Sequence, residues 1–330
     1  MMADTHWALV VHFAAATALT SALLYALLRS GLAWRLAVDE PNSRSLHVTA
    51  TPRCGGWGLL PPVLLECLLL GPTYLPLLAS LLLLAAVCWW DDRYLLSARI
   101  RLATQCLAAL IAIYFSMPVP LAILGLSFFL IVWGANLFNF MDGANGLSGS
   151  MILTGFGSYT IAGYGASTPI ATFSATLSGA ALGFLFFNWG KAKLFLGDIG
   201  SVPAGFLMAV IGLYGWQESV WPWWFPFLVF APFFCDASWT LLRRTLRGER
   251  VWQAHRQHFY QRLILSGYTH TQTGTLWLAM MLVSGALALT LRDKTMPVVL
   301  IGFAFELVML LSVAIFIERR WMLYLKSTIQ

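Results

Sequence analysis

Four separate stretches of this sequence carry the groups that could handle an anion or a metal ion. Asp91 and Asp92 stand side by side after a long apolar run. The run N-L-F-N-F-M-D-G places Asn136, Asn139 and Asp142 at i, i+3 and i+6, one stripe of a helix for as long as the helix lasts. Gly143 and Gly146 then give the chain freedom to turn away. In F-L-G-D-I-G-S, Asp198 lies between Gly197 and Gly200 with Pro203 soon after, a helix-start pattern. A carboxylate is electrostatically at ease at such an end, and its free N–H groups can also hold a phosphate. The fourth stretch, A-H-R-Q-H-F-Y-Q-R, holds His255, Arg256 and His258. The oxygen donors suit a hard cation such as Mg²⁺, with Mn²⁺ as an alternative, bound by a few carboxylates plus substrate phosphates. Zinc is disfavoured, because no thiolate or third histidine joins the His255/His258 pair. Arg, Lys and His around such an ion are what neutralises a diphosphate.

Each stretch has a plain explanation when taken singly. A lone Asp at a membrane boundary is usually a solvated cap. Paired Asn on an apolar helix is more often interhelical glue than a ligand set. Two His in a basic loop are more often surface residues. Four carboxylates, two amides and two His delivered to one membrane face are harder to explain as independent caps.

The elements that must position them follow from composition. Of 330 residues, 59% are hydrophobic and only 10% charged, and the mean hydropathy is +0.75. A soluble domain carries about 25% charged residues, so lipid is the main solvent. The chain reads as one all-α polytopic membrane domain, 1–330. Eleven apolar spans are predicted at 7–28, 57–72, 74–90, 101–116, 119–138, 149–166, 169–187, 202–217, 222–242, 273–291 and 297–317. Gly71-Pro72 marks a tight turn between the second and third. The first span lacks the basic start and cleavage site of a signal peptide and is expected to stay. Of the 20 Lys and Arg, 18 fall on the face that also carries the four stretches, Arg292 and Lys294 being the exceptions. The positive-inside rule puts that face, the 243–270 loop and the C-terminus in the cytoplasm, with the N-terminus outside. The +6 charge therefore records topology; no basic block is interleaved with aromatics, and nucleic acid is not expected as a partner. The five cysteines form no C-x-x-C pair and read as small apolar residues. Trp221 to Phe227 fits an interfacial aromatic belt on the outer face.

Five ordered motifs together resemble the polyprenyl-phosphate N-acetylhexosamine-1-phosphate transferases, glycosyltransferase family 4. They are P-N-S-R-S-L-H-V-T-A-T-P-R (41–53), D-D (91–92), N-L-F-N-F-M-D-G-A-N-G-L (136–147), F-N-W-G-K-A-K-L-F-L-G-D-I-G-S (187–201) and H-R-Q-H-F-Y-Q-R-L (255–263). The resemblance implies a cytoplasm-facing site at the bacterial inner membrane. There a sugar-1-phosphate passes from a UDP-N-acetylhexosamine to undecaprenyl phosphate, releasing UMP and starting a lipid-linked glycan such as lipopolysaccharide O-antigen. It further implies that Asp198 and Asn139 hold Mg²⁺ and that Asp91 is the catalytic carboxylate, a base or in another scheme a nucleophile, supported by Asp92. Asp142, Asn136, His255, Arg256 and His258 would bind the nucleotide-sugar, and Lys193 and Arg101 would be phosphate contacts. Arg44, His47 and Arg53, in the loop 29–56, are further substrate candidates, although a purely structural loop explains them equally well. A homodimer is a candidate assembly.

Asn145 stands where the family often has a second Asp, H-R-Q-H replaces H-x-H-H, and Ala50 and Cys54 interrupt the first-loop pattern. The first two departures resemble the O-antigen-initiating branch acting on 6-deoxy or otherwise modified sugars, and count against the muramoyl-pentapeptide branch. The rival from another class is a secondary transporter, for which Glu66, Asp236 and Glu306 inside spans are the relevant acids. They are scattered over three spans with no internal repeat, which favours interhelical pairing.

Overall fold

The computed structural model describes residues 2–41, 45–94, 96–116, 120–250, 253 and 255–329; Arg44 lies outside them. A backbone in hydrocarbon has no water to bond, so uncharged Leu-, Ala- and Phe-rich runs close their own hydrogen bonds as helices. In chain order these are α1 (Met2–Arg29), the short α2 (Ala33–Leu36), α3 (Gly55–Leu69), α4 (Leu75–Tyr94), α5 (Ala98–Ser116), α6 (Leu121–Met141), α7 (Leu147–Gly163) and α8 (Thr168–Asn188). They continue with α9 (Asp198–Gln217), α10 (Phe225–Val229), α11 (Ala231–Leu246), α12 (Phe259–Leu265), α13 (His270–Leu291) and α14 (Met296–Ile329). The chain is thus an all-α polytopic membrane protein. Seven of these helices (α1, α4, α6, α8, α9, α13 and α14) contain stretches long and apolar enough to cross a bilayer. The other expected spans fall on α3, α5, α7 and the α10–α11 pair. At the centre, α8 and α9 are buried on almost every side, whereas α14 is exposed along most of its length.

The structure departs from the sequence expectations in four places. The ninth span is broken at Phe230 (φ −103°, ψ 17°), because Pro232 in the first turn of α11 cannot donate back to the preceding helix. The eighth begins at Asp198, four residues earlier than expected, which leaves Pro203 inside the helix. The last runs to Ile329, well past the expected 317. Two-residue strands β1 (Val38–Asp39) and β2 (Thr51–Pro52) pair antiparallel in the 29–56 loop of a chain expected to be all-α. All five cysteines are free.

The intramembrane acids are each held locally. Glu66 accepts from Thr176 on α8 and lies 2.8 Å from His12 Nδ1 on α1. Glu306 accepts from Ser284 across α13 and α14. Asp236 on α11 accepts the Phe259 and Tyr260 N–H groups that open α12. These are interhelical ties between different neighbours, not one shared pathway.

Candidate active site

Helices running in alternate directions bring distant ends together. The last residues of α4, α6 and α8 meet the first residues of α3, α9 and α13, and the polar stretches collect there. The organising side chain is Arg53. Its strand is clamped by backbone bonds from Phe195 N to Pro52 O (2.8 Å), Gly55 N to Phe195 O (2.8 Å) and Gly56 N to Leu196 O (2.9 Å). Close approach is possible because Gly56 has no side chain: a Cβ there would sit 2.5 Å from the Gly200 nitrogen. Gly197, at φ +73°, then turns the chain into α9 so that Asp198 opens the helix. The Arg53 guanidinium lies 2.8 Å from Asp198 Oδ1 and 3.4 Å from Asp92 Oδ1. Burial works against the charge on Arg53, but Asp198 first, then Asp92, Asp39 and Asp142, outweigh it and raise its pKa.

Two cavities adjoin this pair. The larger, about 220 Å³, is lined by Arg53, Asp39, His47, Asp142, Asn145, Asn188, His255, Gln261 and His270 among others. Burial pushes the Asp142 carboxyl up to about 7; a Ser148 hydrogen bond and Arg53 oppose this, while Asp198 and Asp92 reinforce it. Burial, and then His258 and Arg244, push the His255 imidazole down to about 4, against Glu249 and Asp236. The smaller cavity, about 100 Å³, has Asp198, Asn139, Asn136, Arg101, Thr104 and Gln105 as polar members among apolar walls from α4, α5, α6 and α9. The helical stripe is therefore divided. α6 ends at Met141 and Asp142 leaves helical geometry (φ −90°, ψ 49°), so Asn136 and Asn139 face one cavity and Asp142 the other.

Other candidates occupy more particular places. Asp91 is buried, accepts from Leu96 N (2.6 Å) and pairs with Arg101 Nη1 (3.0 Å). Asn136 is bonded to Gln105 Oε1 (2.6 Å), the interhelical role typical of such residues. Asn139 Oδ1 accepts from Ser201 on the first turn of α9 (3.3 Å). His258 is buried behind the cavity, 3.3 Å from Asp236 Oδ1 and stacked on Phe140. Lys193 and Arg256 are exposed and line neither cavity. Among the described residues, no three His, Cys, Asp or Glu converge on one point. Asp198 and Asn139 line the smaller cavity together, and Asp92 reaches Asp198 only through the shared Arg53 guanidinium.

Glycosyl transferase family 4 matches residues 74–215. A decaprenyl-phosphate N-acetylglucosaminephosphotransferase of Mycolicibacterium smegmatis is 30% identical over 285 residues, covering 71% of this chain and 70% of the relative. The chain belongs to glycosyl transferase family 4. The Mycobacterium tuberculosis protein of the same description is 28% identical over 327 residues, covering 82% of this chain and 80% of its own length. A probable undecaprenyl-phosphate N-acetylglucosaminyl 1-phosphate transferase of Bacillus subtilis is 26% identical over 262 residues, with 71% of each chain covered.

Several lining residues of this family-4 chain escaped the sequence reading. Asn188 accepts from Gly146 N (2.6 Å) and donates to Leu194 O (2.9 Å), tying two motifs together. Its signal was visible, an amide ending an apolar run. His270 contacts Leu46 O (3.1 Å) and accepts from Asn145 N (3.2 Å). Asp39 carried no sequence signal that separates it from surface residues, and Gln261 only its place in the 255–263 motif.

Proposed function

We propose that this membrane transferase moves a sugar-1-phosphate from a UDP-N-acetylhexosamine to undecaprenyl phosphate at the cytoplasmic face of an eleven-span fold. The product would start a cell-envelope glycan of the O-antigen type. The observation that carries this is the Arg53–Asp198 pair on the boundary between a polar cavity and a smaller, largely apolar-walled one. The polar cavity suits a nucleotide diphosphate-sugar, with Asn145, Asn188, His255 and His270 as neutral hydrogen-bonding groups and Arg53 at its phosphate end. The smaller suits a lipid phosphate, with Arg101 as its counter-charge. In the transfer, an acceptor phosphate oxygen bonds to the phosphorus that bears the sugar. The bond from that phosphorus to the bridging oxygen breaks, and UMP leaves with the electron pair. The acceptor is already largely ionised near neutrality, its second pKa being about 6. Asp91 therefore has little proton to remove, and holding Arg101 toward the acceptor is the larger part of its work. Asp198, Asp92 and Asn139 offer the few oxygen ligands that Mg²⁺ takes beside substrate phosphates. When bound, the ion would supply charge neutralisation at the diphosphate.

The test is UMP release by purified protein given undecaprenyl phosphate, MgCl₂ and a panel of UDP-N-acetylhexosamines that includes 6-deoxy sugars. Release that needs lipid, metal, Asp91 and Asp198 is the expected result. Release that persists without lipid, or in Asp198→Asn, overturns the assignment.

A further inference from the structure

A larger cavity lies away from the site. It is a groove of about 860 Å³ between α11, α13 and α14, lined mainly by apolar side chains such as Phe234, Trp239, Leu242, Leu307 and Leu311. None of its lining residues also lines either site cavity. Its position against the exposed α14 leaves it open to the bilayer.

One end of the groove is basic. Arg243 and Arg319 line it together with Glu318. Glu318 Oε1 is shared by two guanidinium groups, Arg243 Nη1 at 2.6 Å and Arg262 Nη1 at 2.7 Å. One carboxylate is thus shared by two arginines, with Arg319 as a third cation on the same groove end. Two donors at that end, Arg243 Nε and Arg262 Nε, are buried without a hydrogen-bond partner among the described residues. Farther along, Trp277 is 2% exposed, lines the groove, and its Nε1–H also lacks a partner there. Buried donors left unmade are costly, so each marks a place where an acceptor is wanted. The Asp236 carboxylate on the wall is not such an acceptor, since the Phe259 and Tyr260 N–H groups and the Thr240 hydroxyl already use it.

We propose that this groove holds one anionic phospholipid of the surrounding bilayer. Its phosphate would sit against Arg243 and Arg319, its acyl chain among the apolar walls, and an ester carbonyl within reach of Trp277. Basic clusters at the membrane surface attract such headgroups. The acceptor lipid is a poorer occupant, because a phosphate at Arg243 touches neither site cavity. The groove also borders the end of the 243–270 loop: Asp236 and Phe259 line it, while Gln261, about half a turn farther along α12, lines the polar cavity. A seated lipid therefore braces the element that carries His255 and His258.

The experiment is native mass spectrometry of the full chain in detergent, titrated with palmitoyl-oleoyl phosphatidylglycerol or with phosphatidylcholine of the same chains. One phosphatidylglycerol per chain, bound about tenfold tighter than phosphatidylcholine, is expected, because the choline cation sets an unfavourable charge of about 1 kcal/mol beside the arginines that the glycerol headgroup lacks. Arg319→Gln, at an exposed position, and Arg243→Gln should each erase most of the preference. Ala314→Trp, which fills the groove and leaves the arginines, should remove the bound lipid altogether. Equal affinity for the two lipids, a preference that survives both arginine changes, or a lipid retained in Ala314→Trp overturns the proposal. So does displacement of phosphatidylglycerol by stoichiometric undecaprenyl phosphate, or a dimer that excludes lipid, because each would assign the groove to another occupant.

Discussion

Asp142 provides the sharpest quantitative test of the site geometry. Its carboxyl lies at the end of α6 among buried groups, and burial first, then Asp198 and Asp92, push its pKa from 3.8 up to about 7. An acid whose folded pKa lies above its unfolded value keeps its proton longer when folded. Folding is therefore favoured on the acid side, and that advantage is lost as the pH rises from about 4 to about 7. At about 1.4 kcal/mol per unit, a shift of about three units amounts to about 4 kcal/mol over that window. Asp142→Asn keeps the shape and removes the titration. The difference between the two proteins isolates this group from every other acid in the chain. Apparent unfolding temperatures would be followed by tryptophan fluorescence in detergent, without divalent ions, from pH 4.5 to 8.5. The wild type should lose ground steadily to the variant up to about pH 7, after which the gap should stay constant. A gap independent of pH would refute the reasoning, because it would mean that Asp142 is as well solvated in the folded chain as in the unfolded one.

Three further outcomes follow from the same geometry. Arg53→Gln strands two carboxylates and should cost about 2–3 kcal/mol, below the usual figure for a broken buried pair because Arg53 is partly solvated. MgCl₂ should raise its unfolding temperature more than that of the wild type, with NaCl of equal ionic strength as the control. Gly56→Ala forces a Cβ against the Gly200 backbone and should cost about 1–3 kcal/mol, whereas Gly125→Ala, in open space on α6, should be neutral or slightly stabilising; thermal unfolding of the pair decides it. His255, held near 4, is neutral from about pH 6 upward, so the pH–rate profile of UMP release should carry no limb between pH 6 and 8 that His255→Gln abolishes.

Much of the architecture was readable before any coordinates. Lipid demands long uncharged stretches whose backbones satisfy themselves, and it penalises misplaced Lys and Arg, so spans and charge asymmetry are written locally. The break at Phe230 was readable in principle, since Pro226 and Pro232 flank it. The early start at Asp198 was harder to see. Hydropathy registers side chains, whereas that boundary is set by the positive φ of Gly197.

The residue types were also legible: Asp91, Asp92, Asn139, Asp142 and Asp198 stand out as polar groups at the ends of apolar runs, and His255 as part of a basic loop. Their division of labour was not. Asn139 and Asp142 are three residues apart, yet they line different cavities because the helix stops between them. Arg53 is 39 residues from Asp92 and 145 from Asp198, and only the pairing of its strand with Phe195 brings the three together. His258 shares a motif with His255 but is turned away against Asp236 on a different helix. Sequence determines what each segment can do in lipid, because that depends on its own side chains. Which groups share a charge or a cavity depends on contacts between segments far apart in the chain, and only the packed helices decide them.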